Sequence, residues 1–168
     1  GEETKRLKFR IIKPEDFDLW IPLFKVENIA KFLDLDSTLS ETELCQKWFD
    51  KAFHRYENNL GGLNVLIDKK TNRLVGQCGL LIQTVEEKER LEIGYSLLPE
   101  FWNQGFALEA SIKCKNFAFE NDFSLSLIST VNIENISSEK VELKNGMTFE
   151  KQIKSFNVYS IEKESWLK

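Results

Sequence analysis

The alternation of apolar and polar residues along this 168-residue chain predicts a mixed succession of strands and helices. Period-two segments rich in β-branched and aromatic residues are typical of strands, and apolar residues three and four apart are typical of one helix face. Strands are predicted at 7–12, 63–67, 74–85, 90–98, 125–131, 148–153 and 156–162. Helices are predicted from Pro14, over about 41–57, from Gly105 to about 121, and over 137–145. This order favours a mixed α/β domain with parallel pairing where a helix connects neighbouring strands.

Local signals support several helix ends. Ser40 followed by Glu43 forms a capping-box pattern, and Pro14 precedes two acidic residues that suit a first helical turn. Pro22 is expected to bend or end the helix that begins at Pro14. Gly146 occupies a natural left-handed cap position after the helix at 137–145.

Size and composition restrict the function classes. A chain of this length is expected to form one domain, spanning 1–168. Net charge is −4 at pH 7, which disfavours a large nucleic-acid interface. No apolar run has the length of a membrane span and no signal peptide is visible, so we expect no membrane partner and a cytoplasmic location.

The residues that most often bind metals are sparse and scattered. Cys45, Cys78 and Cys114 occur singly in apolar surroundings, which predicts reduced, buried thiols. With a single histidine, His54, no structural metal site is expected. His54 stands among aromatic residues on a predicted helix, so a structural or exposed role is favoured over a catalytic one.

One stretch, 91–121, has the pattern of an anion-binding site. It predicts a strand, a turn containing Pro and Gly, and then an amphipathic helix. The first turn of a helix presents unpaired N–H groups and the positive end of its dipole, which suits a phosphate. Gly105 would let a ligand approach the main chain closely. The same pattern is also typical of an ordinary strand-to-helix turn, which is the commoner reading of so short a motif.

Two segments resemble a known enzyme family. The run from Glu92 to Ala110, E-I-G-Y-x-L-x-P-E-F-W-N-Q-G-F-A-x-E-A, is similar to the acetyl-CoA-binding signature of the GNAT superfamily of N-acetyltransferases, in its RimJ/RimL-type branch. The second signature of that branch follows at the expected spacing, in Asn135, Ser138, Lys144, Gly146 and Met147. The resemblance covers about residues 7–160 and implies the GNAT fold, a central twisted mixed sheet whose parallel strands at 90–98 and 125–131 splay apart.

The resemblance also implies a cosubstrate, acetyl-CoA, and the residues that hold it. Its pantetheine arm would pair with the main chain of Tyr95, Ser96 and Leu97 in the gap between the splayed strands. Its pyrophosphate would bind the loop and first helical turn formed by Asn103, Gln104, Gly105, Phe106, Ala107 and Leu108. That loop lacks the Arg or Lys common in the family, so binding would depend on amides and the helix dipole.

Glu92 is the candidate general base. Strand periodicity places it on the face opposite Tyr95, in mid-strand, where partial desolvation makes a carboxylate a better proton acceptor. The alternative is a strand acid paired with a neighbouring Arg or Lys.

The helix at 137–145 carries the other candidates. The resemblance implies that Asn135 contacts the cosubstrate and that Ser138 hydrogen-bonds the departing thiolate, although both are also good helix N-cap residues. Many GNAT enzymes use a tyrosine acid on this helix, at the position that Glu142 occupies here, and no tyrosine lies between 96 and 158.

The predicted function is direct acetyl transfer to a primary amine, either a protein N-terminus or a small molecule, in a ternary complex. The competing hypothesis is an acyl-CoA-binding regulatory module without turnover. A different kind of nucleotide-binding protein is disfavoured because neither a P-loop nor a three-glycine fingerprint is present. The aromatic residues Trp20, Phe24, Trp48 and Phe49 could line an acceptor pocket or belong to the core. The chain is expected to be a monomer or a homodimer.

Overall fold

The structure, a computed structural model, describes residues 2–168 and contains one seven-stranded mixed sheet. The strands are β1 (Leu7–Ile11), β2 (Gly61–Asp68), β3 (Leu74–Val85), β4 (Lys88–Leu97), β5 (Ser126–Asn132), β6 (Thr148–Ile153) and β7 (Phe156–Glu162). The α-helices are α1 (Phe17–Trp20), α2 (Ile29–Phe32), α3 (Glu41–Glu57), α4 (Phe106–Glu120), α5 (Ile136–Lys144) and α6 (Lys163–Leu167). Every predicted strand and the helices predicted at 41–57, 105–121 and 137–145 are confirmed, with ends that differ by about two residues at most, as expected for element boundaries.

The helix predicted from Pro14 is wrong in its extent. The segment instead divides into a 3-10 turn at Pro14–Asp16, the four residues of α1, and a second 3-10 turn at Ile21–Lys25. Pro22 lies at the start of that second turn, where it has no N–H to donate to an α-helical ladder. Helices α2 and α6 were not predicted, because segments of four and five residues are too short to show a helical period.

The sheet order is β1-β2-β3-β4-β5-β7-β6. Strands β1 to β4 form an antiparallel meander, and β4 pairs with β5 in parallel across the connection made by α4. Strands β5 and β6 are also connected by a helix, but they are not neighbours because β7 inserts between them in antiparallel orientation. Among the described strands, parallel pairing therefore occurs at β4–β5.

Helices cover both faces of this sheet. On one face, Trp48 of α3 donates from Nε1 to Oε1 of Gln77 on β3, at 2.9 Å. On the other face, Cys114 of α4 lies with its Sγ 3.5 Å from that of Cys78. Since neighbouring residues 77 and 78 point to opposite sides of a strand, α3 and α4 enclose the sheet between them. The mixed α/β fold class predicted from the sequence is confirmed.

Two local features support this arrangement. Gly146 has φ +84° directly after α5, which confirms the predicted left-handed cap. Asn132 to Asn135 form the tight connection from β5 into α5, and Asn135 caps that helix. Within residues 2–168, no helix combines the length and the apolar character needed to cross a bilayer.

Candidate active site

A cavity of about 650 Å³ opens where β4 and β5 separate. The two strands pair at one register point, Glu92 with Ile128, and diverge from there towards their carboxyl ends. The lining includes Glu92, which belongs to the α3 face of the sheet, and Tyr95, which belongs to the α4 face. Residues on opposite faces of an intact sheet cannot line one cavity. The cavity therefore passes through the sheet at the splayed pair.

The main chain of β4 offers a free edge inside this gap. Leu98 donates its N–H to the carbonyl of Val75, so alternate residues of β4 bond to β3. Tyr95 and Leu97 consequently direct their main-chain groups towards β5, as Ile93 does, whose carbonyl accepts from the Ser129 hydroxyl. The carbonyl of Leu97 already accepts from Nε1 of Trp102 at 2.9 Å, so Leu97 offers its N–H. The main chain of Ser96 faces β3, so it is not available to a ligand in the gap.

The loop before α4 presents a row of unpaired amides. Gly105 is the N-cap of α4 with φ +82°, and Asn103 also adopts a left-handed conformation, with φ 60°. In the part of the chain that the structure describes, no acceptor is bonded to the main-chain N–H groups from Gln104 to Leu108. The predicted anion site is thus present as a geometry: several donors at a helix N-terminus, with no side chain at position 105.

Arg6, which the sequence reasoning missed, brings a positive charge to this loop. Its Nη1 donates to the carbonyl oxygen of Gln104 at 2.9 Å, and its guanidinium lies 4.2 Å from the centroid of the Phe106 ring. Its Nε pairs with Oε1 of Glu109 at 2.6 Å. Arg6 precedes Gln104 by 98 residues, so no local pattern could have marked it. No residue of the loop is cationic, but folding places the guanidinium of Arg6 beside the loop.

Glu92 is held by a defined set of donors. Its Oε1 accepts from Nε2 of Gln83 at 2.9 Å, and its Oε2 accepts from the hydroxyl and the N–H of Thr130 at 2.6 and 3.2 Å. The side chain of Gln83 also accepts from Nη2 of Arg55, which connects that guanidinium to the carboxylate through one amide. Glu92 is 7% exposed and faces the cavity, with no direct ion pair among the described residues.

Helix α5 forms the opposite wall. Oδ1 of Asn135 accepts from the N–H of Ser138 at 3.3 Å, so Asn135 does cap the helix. Both residues also line the cavity, where their side chains can contact a ligand. The Tyr95 hydroxyl donates to the carbonyl oxygen of Ser138 at 3.4 Å and thereby ties α5 to β4. The Ser138 side chain lies next to the Tyr95 hydroxyl and also lines the cavity.

Glu142 is a buried carboxyl on the same helix. It is 1% exposed, and its Oε1 has no hydrogen-bond partner within residues 2–168. Burial, reinforced by the negative charge of Glu92, raises its pKa to about 8. A carboxyl group with that pKa is mostly protonated at neutral pH and can donate a proton or a hydrogen bond into the cavity that it lines.

The remaining candidates separate by burial. Trp20, Phe24 and Phe49 belong to the core, whereas Trp48 lines the cavity. His54 is exposed and bonds to Asn58 next to it on the surface, so it lies outside the cavity lining. The three cysteines are free and buried, as predicted.

Comparison with known proteins identifies the family. The family model described as Acetyltransferase (GNAT) domain matches residues 6–148. The chain belongs to the GNAT acetyltransferase family. An uncharacterized protein of Bacillus subtilis (strain 168), YkkB, is 28% identical to this GNAT domain over 156 residues, which cover 92% of this chain and 88% of YkkB.

Solved structures share the fold of this GNAT domain. An acetyltransferase from Agrobacterium tumefaciens str. C58 superposes with a TM-score of 0.80 at 20% identity, over 96% of this chain and 93% of that one. Spermidine N-acetyltransferase from Vibrio cholerae, solved with CoA and spermine, superposes with a TM-score of 0.73 at 18% identity, over 98% and 100% of the two chains. At these identities, the superpositions show a common fold. The family model describes the GNAT domain as a whole, so the RimJ/RimL-type branch stays a prediction.

Proposed function

We propose that this GNAT domain transfers the acetyl group of acetyl-CoA to a primary amine, on a protein N-terminus or a small molecule, by direct attack in a ternary complex. The observation that supports this most strongly is the cavity that passes through the sheet at the β4–β5 separation. Such a cavity would let two substrates meet from opposite faces of the sheet. Holding both reactants there supplies much of the rate by proximity.

The residues of the α4 side would hold CoA. The N–H groups from Gln104 to Leu108 can bind the pyrophosphate, with Arg6 adding positive charge beside them. The main chain of Tyr95 and the N–H of Leu97 can pair with the amides of the pantetheine arm as an added strand would. Asn135, at the rim of the same gap, offers a further polar contact.

The reaction requires that the amine lose one proton and that the departing thiolate receive one. The amine nitrogen attacks the thioester carbonyl carbon, the carbon–sulfur bond breaks, and CoA departs as the thiolate. Glu92, on the acceptor side of the cavity, accepts the proton that the amine loses, directly or through a water. On the opposite wall, Ser138 hydrogen-bonds the departing sulfur, and the protonated carboxyl of Glu142 is a proton donor at the same cavity.

The direct test is the release of CoA thiol from acetyl-CoA in the presence of a panel of amines. Glu92→Gln keeps the shape of the side chain and removes its capacity to accept a proton, so transfer should fall by about 10²–10⁴-fold. The matched control is Glu89→Gln, an exposed residue of the same strand, which should leave the rate unchanged. An undiminished rate in Glu92→Gln would remove Glu92 from the mechanism.

The test also separates the competing function. A binding-only module would be protected against heat by acetyl-CoA yet release no thiol with any amine. Protection together with amine-dependent release supports the transferase, and the absence of both would contradict each hypothesis.

A further inference from the structure

The acceptor side of the cavity carries an unusual set of charges. Helix α3 contributes three cationic side chains to the lining, Lys47, Lys51 and Arg55. They are spaced four residues apart, which places them in one row along the helix with about 6 Å of axial rise between neighbours. Lys154, in the turn between β6 and β7, lines the cavity as a fourth cation.

This row is poorly neutralised by the protein itself. No ion pair to Lys51, Arg55 or Lys154 is recorded within residues 2–168. Lys47 helps to lower the pKa values of two nearby acids, Asp36 and Glu43, but forms no ion pair with either. Like charges four residues apart on a helix repel each other, so the row costs stability unless something else interacts with it.

Arg55 is the innermost member of the row. It is 8% exposed, and its guanidinium is occupied by the carbonyl oxygens of Leu60 and Ile82 and by Gln83. All of these hydrogen-bond partners are neutral, and the opposite charge that acts on Arg55 is the carboxylate of Glu92 beyond Gln83. Lys47 and Lys51 are exposed at the outer part of the row and have donors free to bind a ligand.

The acidic residues of the lining do not balance these cations. They are Asp34, Glu92 and Glu142. Glu142 is largely uncharged at neutral pH because burial raises its pKa to about 8. Glu92 is bonded to Gln83 and Thr130, and Asp34 is exposed. With four cations against the carboxylates of Asp34 and Glu92, the lining is therefore net positive.

The geometry points to an acceptor that carries a carboxylate as well as its primary amine, the amine lying at Glu92 and the carboxylate at Lys51 and the neighbouring lysines. This inference rests on the proposed acetyl transfer and specifies the substrate class. An amino acid and an acidic peptide with a free N-terminus share this chemistry. A polyamine does not, because its additional positive charges would face the cationic row.

The test compares acceptors that differ by one charge. We would measure kcat/KM for CoA thiol release with glycine against glycinamide, with a C-terminally amidated tetrapeptide containing one glutamate against the same peptide with glutamine, and with spermine. We expect the member that carries the carboxylate to be preferred in at least one pair by about two- to fivefold, as for one exposed charge pair. The amino acid arm and the peptide arm tell which source of the carboxylate is used.

The Lys51→Glu variant tests whether Lys51 binds the carboxylate of the acceptor. It should abolish or reverse the preference, mainly by raising KM for the acceptor that carries the carboxylate. Lys70→Glu is the matched control, an exposed lysine in the turn between β2 and β3 that is outside the cavity lining, and it should keep the preference. Lys51→Gln gives the intermediate case if the charge reversal impairs folding.

Equal kcat/KM for acceptors with and without the carboxylate, or a preference for spermine, would overturn the charge inference while leaving acetyl transfer intact. If no amine releases thiol, the proposed transfer fails instead. The charge inference is then decided by thermal shift of the CoA complex with the same acceptor pairs, where equal stabilisation by both members of each pair would refute it.

Discussion

Replacing Glu142 with glutamine should change the pH dependence of stability more than stability at any one pH. The carboxyl group is 1% exposed, and burial, with the charge of Glu92 as the second cause, raises its pKa from 4.5 to about 8 in the folded protein. In the unfolded chain the group ionises near 4.5. Between these values the unfolded state has lost a proton that the folded state retains, so rising pH favours unfolding.

The magnitude follows from the two pKa values. One pKa unit corresponds to about 1.4 kcal/mol, so the gap between 4.5 and about 8 amounts to about 5 kcal/mol over its full range. Between about pH 5 and pH 8.5 the wild-type protein should lose about 4 kcal/mol through this group, and the Glu142→Gln variant should not. The free energy of unfolding of the variant relative to wild type should therefore increase by about 4 kcal/mol across that interval.

Urea unfolding followed by tryptophan fluorescence measures this difference at each pH. Glu120→Gln, at the exposed end of α4, is the control, and its effect should be the same at both pH values. In the Glu92→Gln background the slope should be smaller, because the charge that reinforces the shift is gone. A variant that differs from wild type equally at pH 5 and pH 8.5 would refute the reasoning that Glu142 is kept protonated by its surroundings.

Two further predictions concern the loop and the first turn. Gly105→Ala should destabilise the protein by about 1–2 kcal/mol, because φ is +82° and the added Cβ would lie 3.2 Å from Nη2 of Arg6. It should also weaken CoA binding in a titration, and unchanged affinity would remove this loop from the CoA site. Asp16→Asn should cost about 1–3 kcal/mol near neutral pH. Burial by itself would raise the pKa of Asp16, but the bonds from Arg10 and from the Lys13 N–H outweigh it and lower that pKa. Its stabilisation should thus be present above the unfolded pKa and lost as pH falls through the folded value, and an Asp16→Asn effect that persists in acid would contradict this.

The local pattern of the sequence was sufficient for the strands, the long helices and the turn at Gly105. Period-two and helical spacing depend on which residues are next to one another on a strand or a helix face, and such neighbours are close in sequence. The segment from Pro14 to Lys25 was predicted less well, because three short turns within twelve positions leave no room for a period to appear. The Glu92-to-Ala110 signature specified the family for a related reason, since its residues form one continuous strand, loop and helix.

Tertiary structure alone decided the environment of each candidate residue. It brought Arg6 to the loop before α4, inserted β7 between β5 and β6, and turned Ser96 towards β3 while leaving Tyr95 and Leu97 at the free edge. It also buried Glu142 within reach of the charge of Glu92, and placed the cationic row of α3 along the cavity. These are contacts and electrostatic interactions between elements that are remote in sequence. They arise when the chain packs, and no periodicity within one element contains them.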